Sequence, residues 1–307
     1  MVGGILAKAL ATEPVELFAF VILSNHVHML IRAEPGQISR FMNYFSGMVG
    51  YRVGKLAGWR GKFWHRAYDA APVLDEDAVI AKLEYMLSHG VKEGLVEHAR
   101  DWPGLSALPE LIDGVRREFA WDDRTALWEC SRRKKPGLVA AKKYPITLSV
   151  LPAWKGFSVA RRRVLAQAAL EAGEARSRAL REGKAALGVY AILAQDPRSE
   201  PMTTKRGPRP LFHATGLESA VAFVDSWTLV SSRYHDASKR WRDGFIAEFP
   251  PGMFRPPTAC DWPQRAPALN DPQRRVPLAE SADWAAIGPW PGRWQQSSAV
   301  SNIASVT

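Results

Sequence analysis

Cysteine is scarce in this 307-residue chain, which contains only Cys130 and Cys260. The two residues lie far apart and neither belongs to a Cys-x-x-Cys pair, so the sequence indicates neither a disulfide framework nor a zinc ribbon. Long hydrophobic runs are also missing, and the first residues lack a charged leader with a clear cleavage site. We therefore expect a protein of the reducing cytoplasm that has no membrane partner.

Acidic residues are outnumbered, with 31 Asp and Glu against 41 Lys and Arg and a formal net charge of +10. The stretch from Arg132 to Lys184 holds 14 basic residues and 3 acidic ones, so it contains most of the excess. Such a stretch is typical of a nucleic-acid-binding surface, although its arginines could equally solvate a long amphipathic helix. The candidate DNA-binding cations, including three expected on the outer face of an earlier helix, are Arg40, Arg52, Lys55, Arg66, Arg132, Arg133, Lys134, Lys135, Lys142, Lys143, Arg161, Arg162 and Arg163.

Two histidines one residue apart interrupt an otherwise apolar hairpin pattern. His26 and His28 flank Val27 in a segment that predicts paired strands over 15–23 and 26–33. Because side chains alternate along a strand, the two imidazoles project from the same face and could hold a divalent ion. A lone strand histidine is more often a hydrogen-bonded core residue, so this pair needs further support.

A tyrosine and a third histidine lie four residues apart in a predicted helix over 75–90. Tyr85 and His89 share one helical face, whereas the apolar stripe of this helix lies mostly on another side. Neither residue is therefore obviously required for packing, although a tyrosine at the margin of a stripe is ordinarily part of the core edge.

Three blocks of the sequence carry a family resemblance. Phe18–Ile31, Phe63–Arg66 and Tyr85–Val96, in this order and with these gaps, resemble the REP-associated tyrosine transposases. This group belongs to the HUH single-strand transposases, which are IS200-like, and the likeness covers roughly residues 5–106. Weaker similarity to long members of the group follows at Arg209–Pro210, Ala214–Gly216 and Phe249–Phe254.

The resemblance implies a metal-dependent reaction on single-stranded DNA. Its metal ligands would be His26, His28 and His89, its cofactor Mg²⁺ or Mn²⁺, and its nucleophile Tyr85, which would form a 5′-phosphotyrosine. Related sequences often have an Asn-Pro pair where this chain has His89-Gly90. Histidine coordinates readily, and a site made only of imidazoles favours Mn²⁺ over Mg²⁺. The implied substrate is a hairpin or imperfect palindrome, whereas the target sequence and the oligomeric state are left open.

The predicted fold class is α+β, a ferredoxin-like antiparallel sheet flanked by helices and followed by a mainly helical basic region. We place the catalytic domain at 1–106, the basic accessory region at 107–259 and a mostly disordered or extended tail at 260–307. The predicted elements besides the hairpin are helices at 3–12, 37–57, 75–90, near 110–119, at 158–186 and at 216–240, a strand at 62–66 and a short apolar segment at 144–151.

The N-terminal strand of the fold is apparently missing. Members of the family normally begin with a strand in the middle of the sheet, then a helix, and only then the hairpin that bears the histidines. Here the hairpin begins near residue 15, and too little chain precedes it to supply that strand. A truncated copy, a misassigned start codon or replacement of the strand by another segment would each explain this. An exposed sheet edge would be a liability.

Parts of the sequence are also compatible with classes of protein other than a transposase. A histidine-triad nucleotide hydrolase requires a third alternating histidine, but Leu30 occupies that position. A replication or conjugation enzyme with a helicase is disfavoured because no GxxxxGK[ST] phosphate loop is present. The main alternative is a domesticated DNA-binding regulator that retains the fold and has lost catalysis.

Overall fold

A computed structural model describes residues 1–34, 36–133, 141–196, 199, 210–256 and 303–306. It divides into two compact units, one formed by Met1–Thr215 with Ala299–Thr307 and the other by Gly216–Ser298. The helices are α1 (Val2–Thr12), α2 (Gln37–Leu56), α3 (Glu76–Leu87), α4 (His89–Lys92), α5 (Arg124–Arg133), α6 (Val159–Leu180), α7 (Val189–Ala194) and α8 (Leu217–Arg242). The strands are β1 (Glu16–Ile22), β2 (Val27–Arg32), β3 (Ala70–Pro72), β4 (Glu118–Asp122), β5 (Ala141–Pro145) and β6 (Ile303–Val306).

The central feature of the first unit is a four-stranded antiparallel sheet with the order β1-β2-β6-β3. Successive residues of β1 and of β2 are buried, so both faces of these strands are covered by other elements. The predicted hairpin is confirmed, and so is the predicted fold class of an antiparallel sheet flanked by helices with a helical region behind it.

A strand from near the C-terminus fills the position of the strand that the sequence lacks. All four residues of β6 are buried, and the strand pairs with β2 on one side and with β3 on the other. In a ferredoxin-like unit this central position belongs to the first strand of the chain. Another segment thus takes the place of that strand. Within the tail that we predicted to be mostly disordered or extended, Ile303–Val306 form an ordered strand, and residues 260–302 lie outside the described part of the chain.

The outer edge of β1 is covered by the backbone of the chain that follows α4. Ile22 donates to the carbonyl of Leu105 at 2.8 Å, and Ala107 donates to the carbonyl of Phe20 at 2.9 Å. The indole of Trp102 adds a hydrogen bond to the carbonyl of Ile22 at 3.0 Å. These contacts use the ladder groups that an open edge would otherwise expose to other chains.

The helix that carries Tyr85 begins at the predicted place and ends earlier than predicted. The Asp75 carboxylate accepts from the backbone of Ala78 at 2.8 Å, a helix N-cap, and from the backbone of Thr215 at 2.8 Å. The helix stops at Leu87, and α4 begins after Ser88. The predicted strand at 62–66 is wrong, because the nearest strand is β3 at Ala70–Pro72.

The segment beyond residue 106 contains both strands and helices. The helix predicted near 110–119 is wrong: only one π-helical turn, Pro109–Asp113, forms there, and β4 follows it and pairs with β5. The long helices predicted at 158–186 and 216–240 are confirmed as α6 and α8, with shifted ends. Within the described part of the chain, no helix combines the length and apolarity needed to cross a membrane.

We expect the sheet to depend on β6. Ile303 is buried on β6, the strand that lies between β2 and β3. Replacing it by Asp would bury a carboxylate on a face of the sheet and should lower the free energy of unfolding by roughly 3 kcal/mol or more. Ile303→Val should lower it by only about 1 kcal/mol. Hydrogen–deuterium exchange of residues 27–32 should accelerate in the Asp variant.

The control is Val159→Asp, which places the same side chain at an exposed position in the first turn of α6. An acidic residue is favourable near a helix N-terminus, so this variant should be close to neutral. Equal stability of Ile303→Asp and Val159→Asp would refute the pairing of β6 inside the sheet.

Candidate metal centre

Three imidazoles from two distant segments converge at one point. His26 precedes β2, His28 lies within it, and His89 begins α4. The Nε2 atom of His89 lies 2.9 Å from that of His26 and 3.2 Å from that of His28. All three potential ligand atoms lie within 4.8 Å of one another, and the predicted projection of His26 and His28 from one face is confirmed.

The two separations from His89, 2.9 and 3.2 Å, are close to those expected around a shared cation. Nitrogens bound at about 2.1 Å to one ion lie about 3.0 to 3.4 Å apart for octahedral to tetrahedral angles. Hydrogen bonding alone explains the position of His89 less well than a shared cation does. A ring nitrogen carries either one hydrogen or one in-plane lone pair, so Nε2 of His89 cannot make well-aligned hydrogen bonds to both of its neighbours.

The surroundings keep the imidazoles neutral, which is the form that binds metals. Burial and the neighbouring imidazoles lower the pKa of His28 to about 2, and burial lowers the pKa of His89 to about 3. Burial also lowers the pKa of His26. The Nδ1–H of His26 donates to the side-chain oxygen of Asn25 at 2.6 Å, which leaves the Nε2 lone pair free for a metal.

Tyr85 lies against this cluster. Its ring centroid is 4.7 Å from that of His89, one helical turn ahead, and 5.5 Å from that of His28 on the sheet. The contact follows from the packing of α3 on β1 and β2. Burial is the largest influence on the pKa of Tyr85 and raises it, so the free side chain is a neutral phenol at physiological pH.

Helix α6 holds the turn between Tyr85 and His89 in place. A Cβ added to Gly173 on α6 would lie 2.6 Å from the carbonyl oxygen of Glu84 and 2.8 Å from Oγ of Ser88, so the helices approach as closely as they do because this residue is glycine. Arg176 forms an ion pair with Glu84 at 3.0 Å. The turn that links Tyr85 to His89 is therefore packed against a helix from the predicted accessory region.

Two lysines that the sequence analysis did not single out flank the tyrosine. The Nζ atoms of Lys82 and Lys92 lie 5.1 and 5.0 Å from the Tyr85 ring centroid. Lys92 also pairs with Glu93 at 2.9 Å. Lys82 precedes Tyr85 by three residues, so helical periodicity could have indicated it, whereas the position of Lys92 depends on the break between α3 and α4.

The predicted DNA-binding cations occupy different environments. The expectation that Arg52 faces outward is wrong: this buried guanidinium donates to the carbonyl of Asp122 at 2.8 Å and lies 3.6 Å from the Trp121 ring centroid. Arg162 donates to the carbonyl of Phe157 at 2.8 Å. Lys134 and Lys135 lie outside the described residues, and for Arg133 only the helical backbone is described. The other predicted cations are exposed: Arg40, Lys55, Arg66, Arg132, Lys142, Lys143, Arg161 and Arg163.

The sheet and the site together place two histidines beside a helix that carries a tyrosine, and a third histidine follows that helix. This arrangement could hold a divalent ion next to a phenol. Residues 2–86 match a family model described as "Transposase IS200 like", so this part of the chain is similar to that family. The match includes His26, His28 and Tyr85, and it ends before His89. Neither curated proteins nor solved structures gave a match.

We expect one Mn²⁺ ion per chain at the three imidazoles. In a titration followed by electron paramagnetic resonance, His28→Ala and His89→Ala should each weaken Mn²⁺ binding by more than about tenfold. Mutation of residues that only contact the ligands often lowers metal affinity by that factor, and loss of a ligand should lower it further. Tyr85→Phe should bind normally. His235→Ala, which alters an exposed histidine of α8, is the matched control, and the idea fails if His28→Ala binds as well as this control.

The close approach of α6 yields a second prediction. Gly173→Ala should lower the free energy of unfolding by about 1 to 3 kcal/mol and weaken Mn²⁺ binding, because the new methyl group displaces the Glu84 carbonyl. Gly47→Ala, in the middle of α2 with nothing within 4 Å of its added Cβ, should instead stabilise the protein by up to about 1 kcal/mol. Urea denaturation measures both, and a stabilised Gly173→Ala variant would contradict the packing argument.

Proposed function

We propose that this protein is a metal-dependent single-stranded DNA transposase that cleaves and rejoins DNA through a 5′-phosphotyrosine. The observation that carries the proposal is the convergence of three imidazole nitrogens beside the Tyr85 ring. The family match over residues 2–86 supports a transposase acting on DNA. In this proposal His26, His28 and His89 bind the metal and Tyr85 is the nucleophile.

The chemistry is a transesterification at phosphorus. The Tyr85 oxygen attacks the scissile phosphate, its new bond to phosphorus forms as the bond to the 3′-oxygen breaks, and the phenolic proton passes through solvent to that leaving oxygen. The products are a 5′-phosphotyrosine and a free 3′-hydroxyl. Because the phosphotyrosine keeps the energy of the broken ester, another 3′-hydroxyl can reverse the reaction and join strands without ATP.

Catalysis requires that the phosphate be oriented and its charge be stabilised, since a neutral phenol is a weak nucleophile. A divalent ion held by the three imidazoles, Mg²⁺ or preferentially Mn²⁺, would supply Lewis-acid stabilisation of the phosphate charge. The protein's own contribution is rigidity. The strand fixes His28, the N-capped helix fixes Tyr85, and the Asn25 side chain fixes the tautomer of His26.

The exposed cations of the basic stretch would contact the DNA backbone. Arg132, Lys142, Lys143, Arg161 and Arg163 are exposed, and phosphate contacts would make the affinity strongly dependent on salt without selecting a sequence. We propose a hairpin or imperfect palindrome as the DNA partner and the reducing cytoplasm as the compartment. The proposed catalytic region is 1–106, completed by β6 and by the packing of α6.

The decisive experiment looks for a covalent protein–DNA adduct. Labelled single-stranded hairpin oligonucleotides are incubated with the protein and Mn²⁺, then separated under denaturing conditions. The wild type should form the adduct, whereas Tyr85→Phe should lose it for want of a nucleophile and His26→Ala for want of the metal. Chelation by EDTA should abolish the adduct in the wild type.

Tyr190→Phe is the matched control, because Tyr190 is 87% exposed and far from the cluster in sequence. It should form as much adduct as the wild type. If the wild type and both site variants bind the oligonucleotides equally and none cleaves them, the protein acts as a DNA-binding regulator that retains a transposase fold.

A further inference from the structure

The Tyr85 ring contacts two imidazoles and lies close to two ammonium groups. Lys82 is on the same helix, one turn before the tyrosine, and Lys92 is brought in by α4. Their Nζ atoms lie at almost equal distances from the ring centroid, 5.1 and 5.0 Å. Both ammonium groups are therefore close to the ring that carries the phenolic oxygen.

This concentration of positive charge is only partly neutralised within the site, through the ion pair of Lys92 with Glu93. Lys82 is half-buried, burial and the charge of Lys92 both lower its pKa, and within the described ranges no carboxylate forms an ion pair with it. The acid that acts on this group of residues is Glu93, which pairs with Lys92. A half-buried cation beside a second cation is unfavourable unless an anion joins them.

We propose that Lys82 and Lys92 bind the non-bridging oxygens of the scissile phosphate and hold it against the Tyr85 hydroxyl, an inference that rests on the proposed function. The two side chains reach the tyrosine from separate helices, so a phosphate that touches both is fixed in position as well as neutralised. The same tyrosine ring also contacts His28 and His89, two of the proposed metal ligands.

The proposed contacts would stabilise the charge that develops while the Tyr85 oxygen displaces the 3′-oxygen from phosphorus. As the bond from the Tyr85 oxygen to phosphorus forms and the bond to the 3′-oxygen breaks, negative charge spreads over the non-bridging oxygens, and ammonium groups already in place stabilise it without reorganisation. The same contacts serve the reverse reaction, in which a 3′-hydroxyl attacks the phosphotyrosine and the tyrosine oxygen leaves. Both lysines are therefore catalytic residues in this proposal.

The first test measures the rate of adduct formation in a single turnover at saturating DNA and Mn²⁺. Lys82→Met keeps the length of the side chain and removes its charge, and it should slow the reaction by roughly 100-fold to 1,000-fold, as the loss of one preorganised donor does. Lys82→Arg should recover part of the rate. Lys239→Met on α8 is the control and should react like the wild type.

Mn²⁺ affinity, measured on the same variants by electron paramagnetic resonance, separates this role from a structural one. It should stay within about twofold of wild type in Lys82→Met and Lys92→Met, because neither side chain is a ligand. A slow variant that also loses Mn²⁺ affinity would show that the lysine only supports the metal site. A wild-type rate in both Met variants would overturn the inference while leaving the transposase proposal intact.

A chemically altered substrate tests the contact itself, and its first comparison uses no lysine variant. An oligonucleotide with a neutral methylphosphonate at the scissile position should bind Tyr85→Phe protein several-fold more weakly than the native phosphate, with EDTA present to remove any metal contribution. In Lys82→Met/Tyr85→Phe this difference should become smaller, because only Lys92 still contacts the phosphate, and in Lys82→Met/Lys92→Met/Tyr85→Phe it should disappear. Equal binding of both oligonucleotides to the Tyr85→Phe protein would refute the phosphate contact. Failure of the wild type to form any adduct refutes the proposed function instead.

Discussion

The site depends on the hydrogen bonding of β2 along both of its edges. β1 fixes one edge and β6 the other, so the backbone around His28 has no freedom to shift its register. A slip of one residue would turn His28 to the opposite face and replace it with an apolar side chain. The cluster needs this rigidity, because neutral imidazoles attract one another only weakly unless a cation or a hydrogen bond joins them. The backbone must therefore hold them together.

The second support is the contact between α3 and α6. It brings a helix rich in small residues, among them Ala166, Ala169 and Gly173, against the helix that bears Tyr85. α6 therefore combines two properties that the sequence presented as alternatives. Its small-residue face packs on the helix that bears Tyr85, and its exposed arginines remain available to solvent or to DNA. A structural role for this helix and a role in binding nucleic acid are compatible.

The features that could be predicted from the sequence are those of short range. Alternation placed His26 and His28 on one face, helical periodicity placed Tyr85 one turn before His89, and Asp75 marked the start of the helix. The burial of Arg52 could not be predicted, because it depends on Trp121 and Asp122, some 70 residues away along the chain. The same reason applies to Gly173, whose importance comes from the carbonyl of Glu84.

The position of β6 has a consequence for how the protein is made. The strands that border it are synthesised more than 200 residues before it, so the sheet closes only after the ribosome has completed nearly all of the chain described here. Closing so long a loop makes folding slow. During translation the nascent chain would carry an unfilled gap beside the strand that bears His28, and chaperones that recognise unpaired strands would have time to bind it.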